Sequence, residues 1–206
     1  MIIKQEKENL LSNGLIEPSN SPWRAQVLVT GDGVNHRKRM VIDYSETINK
    51  FTYLDAYPLP RIDDTVNKIA QYSVYSTFDL KSAYYQIPLN DADKPYTAFE
   101  IDGGLYQFCV VPNGITNGCP VFQRIMDSII EKEGLNDTFA YQDNVHICGH
   151  NDAHHDINLK KFEDAARKYM ITFNDPKSII RTRSLQTLGY VISKGELKPD
   201  PERFRP

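Results

Sequence analysis

The sequence predicts an α+β fold, in which helices pack on one face of an antiparallel, ferredoxin-like sheet. From about residue 66 onward, short runs rich in β-branched and aromatic residues alternate with longer helical segments. Some of these short runs occur in pairs with polar turn residues between them, which is the pattern of a β-hairpin. The resulting order is strand, hairpin, helix, hairpin, helix, strand, which suits a ferredoxin-like sheet.

The composition is that of a globular protein. The 206 residues are 40% hydrophobic and 25% charged, enough for one sizeable domain or two small subdomains. A formal net charge of −3 disfavours binding nucleic acid through bulk charge, so local basic groups would have to bind phosphate. We expect neither a membrane span nor a signal peptide. Three cysteines without paired spacing favour an intracellular location, either cytoplasmic or nuclear.

Residues 1–65 are rich in glycine, proline and asparagine turns, and we expect loop-rich β structure there. Two apolar runs interrupt the turns, at residues 25–29 and 39–44. Their length and composition predict the two arms of one hairpin.

The predicted elements after residue 66 are longer. They are a strand at 74–80, a hairpin at 97–101 and 105–110, a helix around 122–130, a hairpin at 138–141 and 145–148, and a helix at 153–169. Apolar residues at helical spacing, among them Phe122, Met126 and Ile129, predict the first helix. We expect a last strand at residues 188–192, before two prolines break the pattern.

Two aspartates fall where strands of this sheet end. Asp79 follows the strand run at residues 74–78, and Asp143 lies in the turn of the second predicted hairpin. If these elements are neighbours in one sheet, the two carboxylates meet at its rim. Such hard oxygen ligands could hold two divalent ions for phosphoryl transfer. Aspartate is also common in turns without any metal, so the residues alone leave both interpretations open.

Five blocks of the sequence carry a family resemblance: residues 15–23; residues 39–44 with 57–62; residues 78–87; residues 112–117 with 122–124; and YQDN at 141–144 with Leu188, Gly189 and Tyr190. In this order they resemble the entry segment, the fingers, the first catalytic block, the template-and-nucleotide block, and the metal loop with the primer grip in the polymerase domain of gypsy-type LTR retrotransposons, a reverse transcriptase. The resemblance extends from about residue 15 to residue 206.

This resemblance implies a division into subdomains. Residues 1–65 would belong to the fingers and residues 66–198 to the palm, with part of the fingers inserted at about residues 90–120. Residues 199–206 would begin a thumb, and no segment resembling a complete thumb, a ribonuclease H or an integrase follows. We therefore expect an excised domain, a degraded genomic copy or a reused remnant of a Pol polyprotein.

The same resemblance implies that the chain would be an RNA-directed DNA polymerase, which would add deoxynucleotides to a primer by two-metal nucleotidyl transfer. Asp79, Asp143 and Asn144 would be catalytic, and Asp79, Asp143 and the carbonyl of Leu80 would bind two Mg²⁺ ions, which Mn²⁺ could replace. The primer grip would be residues 188–190. The partners would be an RNA or DNA template with its primer, deoxynucleoside triphosphates and the remainder of a Pol polyprotein.

Five further residues match nucleotide-binding positions of the family. Arg39 has a planar guanidinium that suits a triphosphate, although a surface cation would look the same. Tyr84 would stack beneath the sugar and exclude a 2′-hydroxyl, or else fill the core. Asn113 and Gly114 would lie against the nucleotide, where glycine permits close backbone approach. Lys177 would protonate the leaving pyrophosphate, although a solvated lysine is common after a proline turn.

Asn144 stands where this family more often has aspartate. An amide offers a neutral oxygen and no charge, so we expect a weaker hold on divalent ions than from two adjacent carboxylates. A noncatalytic, retrotransposon-derived remnant is therefore the alternative function. It would keep the palm fold and bind nucleic acid or a protein partner.

Several cysteine and histidine residues within ten positions suggest a second, different metal site. They are His146, Cys148, His150, His154 and His155. Structural zinc sites usually draw on spaced ligand pairs, which this group lacks. A helix with Asp152 as its N-cap and exposed histidines in its first turn accounts for the same residues. Zinc is therefore the less favoured interpretation.

Overall fold

The computed structural model describes residues 2–31, 38–193 and 195–201. The chain divides into two compact units, the first comprising Met1–Ala56 and Ser82–Phe122, and the second Tyr57–Lys81 and Gln123–Pro206. Mixed helices and antiparallel sheets confirm the α+β fold class. The division into fingers, palm and thumb stays a prediction, and the last five residues of the expected thumb segment lie outside the described residues.

The helices and strands are numbered here in chain order. The α-helices are α1 (Ile2–Ser12), α2 (Ile48–Phe51), α3 (Ile62–Ile69), α4 (Gly118–Lys132) and α5 (Asp152–Lys168). The strands are β1 (Ile16–Pro18), β2 (Gln26–Gly31), β3 (Lys38–Asp43), β4 (Val74–Asp79), β5 (Phe99–Ile101), β6 (Gly104–Phe108), β7 (Thr138–Tyr141), β8 (Asn144–Gly149), β9 (Ile179–Thr182), β10 (Ser184–Thr187), β11 (Tyr190–Ser193) and β12 (Glu196–Pro199).

The first unit contains the sheet β1–β6–β5 and the antiparallel hairpin β2–β3, which confirms the predicted hairpin. Its core is a cluster of aliphatic and aromatic side chains, namely Leu10, Ile16, Ala25, Ile42, Tyr44, Phe99, Ile101 and Phe108. The expectation of loop-rich β structure is wrong for residues 2–12, which form α1. Lysine, glutamate, glutamine and leucine favour a helix there, and the helix places Leu10 in the core.

The second unit is built on a four-stranded antiparallel sheet with the strand order β7–β8–β4–β9. In chain order these strands are second, third, first and fourth, which is the ferredoxin-like arrangement that the sequence predicts. The central strand β8 is buried continuously from Val145 to Gly149, and α5 packs against it. β4, the other central strand, is likewise buried over most of its length.

The predicted last strand at residues 188–192 is confirmed for residues 190–192, which lie in β11, but it is wrong for Leu188 and Gly189, and β12 follows it. Leu188 and Gly189 have φ values of +52° and +81° and form the turn between β10 and β11. The fourth strand of the main sheet is β9, and β10, β11 and β12 form a separate antiparallel sheet. Pro199 ends β12 without interrupting it, because an edge strand tolerates a residue that lacks an N–H.

The histidines of the zinc alternative each have a different environment. His155 is fully buried and its Nε2 lies 2.9 Å from the Ser76 hydroxyl, so its predicted exposure is wrong. Asn151, rather than Asp152, caps α5 by accepting a hydrogen bond from the His154 N–H at 2.9 Å. In the described part of the chain, no group of three or more His, Cys, Asp or Glu residues could hold a metal ion.

Across the described ranges, no helix has both the length and the apolar character needed to cross a membrane.

His146 should make the protein less stable in mild acid. Burial lowers the pKa of this side chain to about 4, and its Nε2 lies 3.0 Å from the Thr187 hydroxyl. The unfolded chain therefore binds a proton at this residue more readily than the folded chain. The contribution of His146 to the free energy of unfolding is present above pH 6.5 and decreases as the pH falls towards 4. Between pH 7 and pH 5 the expected loss is about 2 kcal/mol in the free energy of unfolding.

Urea denaturation at a series of pH values measures this loss. His146→Leu removes the titrating group and places an apolar side chain at the buried position. The loss in its free energy of unfolding between pH 7 and pH 5 should be smaller than in the parent chain by about 2 kcal/mol. Equal pH dependence in the parent chain and in His146→Leu would contradict the assignment to this residue.

Candidate active site

The ends of β4 and β8 bring the two predicted aspartates to one rim of the main sheet. Asp79, the last residue of β4, is the register partner of Asn144, the first residue of β8, and Asp143 directly precedes it. The Leu80 N–H donates a 2.7 Å hydrogen bond to the Asp143 carbonyl. The two elements are therefore neighbours in one sheet, which is the condition on which the sequence places both aspartates at one rim.

Asp143 lies in the two-residue turn that joins β7 to β8. Its neighbour Gln142 has a φ of +52°, a conformation that two-residue hairpin turns of type II′ usually assign to glycine. Asp143 is exposed, and the Asn144 Nδ2 donates to its Oδ1 at 3.1 Å. Asn144 thus supplies a neutral hydrogen-bond donor beside the carboxylate and adds no negative charge.

Asp79 holds two polar partners from the segment before β9. The Asn174 Nδ2 donates to Asp79 Oδ1 at 3.1 Å, and the Lys177 Nζ lies 3.3 Å from Oδ2. The Lys177 side chain is 64% exposed and that of Asp79 is 19% exposed. Ion pairs this open to water contribute little to stability, so the Asp79 carboxylate can exchange the lysine for another cation.

Asn174 is a site residue that the sequence analysis missed. Its N–H donates to the Asp79 carbonyl at 2.8 Å, and its own carbonyl accepts from the Lys177 N–H at 2.9 Å. It therefore ties the short 3₁₀ turn Asp175–Lys177 to the end of β4. The available signal was its position directly before an Asp-Pro dipeptide, where an amide side chain often organises a turn.

The donor set at this rim fits a hard divalent cation. The carboxylates of Asp79 and Asp143 supply oxygen ligands and two negative charges. Ions such as Mg²⁺ commonly bind through one or two carboxylates and take their remaining ligands from water and substrate phosphates. The two carboxylates, together with the backbone carbonyl of Leu80, are consistent with such a partly open shell.

Three of the predicted nucleotide-binding residues meet in the first unit. Arg39, Asn113 and Gly114 line a cavity of about 380 Å³. Gly114 has a φ of +92°, and a Cβ there would lie 3.4 Å from the Ile42 carbonyl oxygen, so glycine suits this wall. The basic run that begins at Arg37 is described only from Lys38 onward.

Tyr84 and Tyr85 differ in their surroundings. The ring of Tyr84 packs edge-on against Phe122 with 5.9 Å between centroids, whereas Tyr85 lines the cavity. Burial raises the pKa of the Tyr85 phenol, which also hydrogen-bonds to Asn113. Tyr84 is the member of this pair that is predicted to contact the nucleotide sugar, and its role in sugar discrimination stays a prediction.

The predicted primer-grip residues form the β10–β11 turn. The Gly189 carbonyl accepts a 3.0 Å hydrogen bond from the Asp200 N–H, and the Tyr190 hydroxyl donates to Asp63 Oδ1 at 3.3 Å. Leu188 packs against the hydrophobic cluster beneath this small sheet. Two hydrogen bonds and one apolar contact therefore hold this turn in place.

Comparison with known sequences identifies relatives over nearly the whole chain. The family model described as reverse transcriptase (RNA-dependent DNA polymerase) matches residues 32–192. The chain is 33% identical over 212 residues to the retrovirus-related Pol polyprotein from transposon gypsy of Drosophila melanogaster. That alignment covers 98% of this chain and 20% of the polyprotein, so the chain spans about a fifth of this relative.

Comparison with solved structures identifies the same fold. The foamy viral protease-reverse transcriptase in complex with double-stranded DNA matches with a TM-score of 0.88 and 19% identity, over 98% of this chain and 35% of that one. The same viral protein in complex with an RNA/DNA hybrid matches with a TM-score of 0.85 and 19% identity, over 97% and 26% of the two chains.

Proposed function

This chain belongs to the reverse transcriptase family, and on that premise we propose that it is an RNA-directed DNA polymerase domain of a gypsy-type retrotransposon. The observation that carries the proposal is the pairing of β4 with β8, which puts Asp79 and Asp143 at one rim. The reaction would be transfer of a nucleotidyl group from a deoxynucleoside triphosphate to a primer 3′ end.

Reverse transcriptases use divalent metal ions, and the rim supplies suitable ligands. Asp79, Asp143 and the Leu80 carbonyl would hold two Mg²⁺ or Mn²⁺ ions. Bound ions would lower the pKa of the primer hydroxyl and neutralise charge on the transferred phosphate. Lys177 would leave Asp79 when an ion binds, and its ammonium group would then be able to donate a proton to the leaving pyrophosphate.

The remaining roles follow from chemistry and family resemblance. The guanidinium of Arg39 would bind the triphosphate, and Asn113 and Gly114 would form the wall on which the nucleotide rests. Residues Leu188–Tyr190 would contact the primer backbone. The foamy viral relative in complex with an RNA/DNA hybrid supports a base-paired primer and template as the macromolecular partner.

Primer extension by the 206-residue chain tests the proposal directly. An RNA or DNA template with an annealed primer, all four deoxynucleoside triphosphates and either Mg²⁺ or Mn²⁺ should give extended products. A folded chain that binds primer-template yet extends nothing with either ion would favour the noncatalytic remnant.

Asn144→Asp should strengthen divalent-ion binding. A unit charge about 4 Å from a divalent ion changes the interaction energy by about 2 kcal/mol in water and by more near a protein surface. We therefore expect Mn²⁺ to bind about thirtyfold more tightly, with extension saturating at a lower ion concentration. Titration followed by Mn²⁺ electron paramagnetic resonance measures the dissociation constant.

Asn136→Asp is the matched control for that measurement. Asn136 is exposed and precedes β7, so the same charge is added at the opposite end of this strand from the rim. Its Mn²⁺ affinity should stay close to that of the parent chain. Equal affinities in Asn144→Asp and the parent chain would contradict the role assigned to position 144.

A further inference from the structure

We propose that Gln123 on α4 is a positioning residue for the turn that carries Asp143. Gln123 is fully buried, and its amide reaches both the end of β7 and the turn itself. Its Nε2 donates to the Ala140 carbonyl at 3.0 Å, and its Oε1 accepts from the Gln142 N–H at 3.1 Å. One side chain therefore fixes two points of the backbone within three residues of Asp143.

The turn needs such support because of its backbone. The pair Tyr141 and Asn144 is the last in the β7–β8 register, so the Gln142 N–H lies beyond the ladder. Gln142 also adopts a φ of +52°, which is unfavourable for a residue with a Cβ. Conformations of this kind persist when surrounding contacts hold them in place. The Gln123 oxygen is such a contact.

The orientation of the Gln123 amide is fixed by a further partner. Nε2 donates its second hydrogen bond to Asp127 Oδ1 at 2.9 Å, while Asp127 Oδ2 accepts from the Tyr57 hydroxyl at 2.7 Å. With both amide protons engaged, only the oxygen can face the Gln142 N–H. A flipped amide would place donors against a donor, so this buried network specifies one arrangement.

The inference rests on the proposed function, since it concerns how Asp143 is presented to a divalent ion. Groups that orient a metal ligand without touching the metal commonly change metal affinity by about 10-fold to 100-fold when replaced. Gln123 would act in this way through the backbone of the turn rather than through a bond to the carboxylate.

Gln123→Met tests the inference, because methionine has similar length and no hydrogen-bonding amide. Asn158→Leu is the matched control: Asn158 is a buried amide in the same unit that donates to Cys148 O and Asp137 Oδ2, both at 2.9 Å. Those acceptors lie at the opposite end of the β7–β8 hairpin. Both variants remove a buried amide, but only one removes a contact to the turn.

Two readouts should separate the variants. Hydrogen exchange at the Gln142 amide, followed by nuclear magnetic resonance, should become at least about tenfold faster in Gln123→Met and stay unchanged in Asn158→Leu. The Mn²⁺ dissociation constant should rise about tenfold in Gln123→Met only. Asp127→Asn, which loosens the anchor of the amide and leaves Gln123 in place, should shift both quantities in the same direction by about threefold.

The possible results are distinguishable. Equal losses of thermal stability in Gln123→Met and Asn158→Leu, with neither exchange nor Mn²⁺ affinity changed, would mean that Gln123 is only structural and would overturn the inference. If the parent chain bound no Mn²⁺, the proposed function would fail, whereas exchange at Gln142 would still report on the turn. Faster exchange with unchanged Mn²⁺ affinity would also overturn the positioning role.

Discussion

Asp79→Asn should reduce primer extension by at least about 1000-fold, which corresponds to about 4 kcal/mol of lost transition-state stabilisation. The substitution keeps the size of the side chain and removes the charge that would hold the ions at the rim. Single-nucleotide incorporation at saturating Mg²⁺ measures the loss, and repeating it with Mn²⁺ shows whether a different ion restores part of the rate.

The fold should survive this change. The ion pair between Asp79 and Lys177 is partly exposed, so its loss should lower the free energy of unfolding by no more than about 1 kcal/mol. Asp156→Asn is the matched control, because Asp156 pairs with Arg181 of β9 in the same unit and lies outside the rim. Asp156→Asn should extend the primer at the parent rate. Normal extension by Asp79→Asn would exclude this rim as the catalytic centre.

The hairpin β7–β8 was predictable because its signals are local. Two apolar runs flank a polar turn, and the spacing alone places Asp143 at the tip. The pairing of β4 with β8 follows once the ferredoxin-like order is assumed. By contrast, the sequence did not predict β9. Its residues Ile179 and Ile180 are adjacent and both exposed, so the strand lacks the alternation of apolar and polar residues that marks a half-buried strand.

The parts of the site that sequence reasoning missed depend on contacts between distant residues. Lys177 lies 98 positions after Asp79, and only family resemblance connected the two. Asn174 was not found, because no local pattern links its amide to a carboxylate 95 positions earlier. Gln123 appeared within a resembling block, yet its contact with Gln142 depends on how α4 packs beside the turn. Side-chain hydrogen bonds of this kind require the tertiary structure.

Gly149→Ala should lower the free energy of unfolding by about 3 kcal/mol, because β8 and α5 touch through backbone at this residue. A Cβ on Gly149 would lie 2.5 Å from the N, Cα and Cβ atoms of His155. Those atoms belong to the first part of α5 and cannot move without the helix. Urea denaturation measures the change, and a loss below about 1 kcal/mol would show that α5 shifts easily.

Gly31→Ala is the control, since a Cβ at Gly31 would meet no atom of the described residues within 4 Å. Its effect should stay within about 1 kcal/mol in either direction.

The packing of α5 matters for the rim because His155 Nε2 lies 2.9 Å from the Ser76 hydroxyl, which also accepts from the Arg181 N–H at 3.0 Å. Ser76 is on β4, so a displaced α5 would disturb the same strand that ends in Asp79. We therefore expect Gly149→Ala to slow primer extension as well, at temperatures where the variant remains folded.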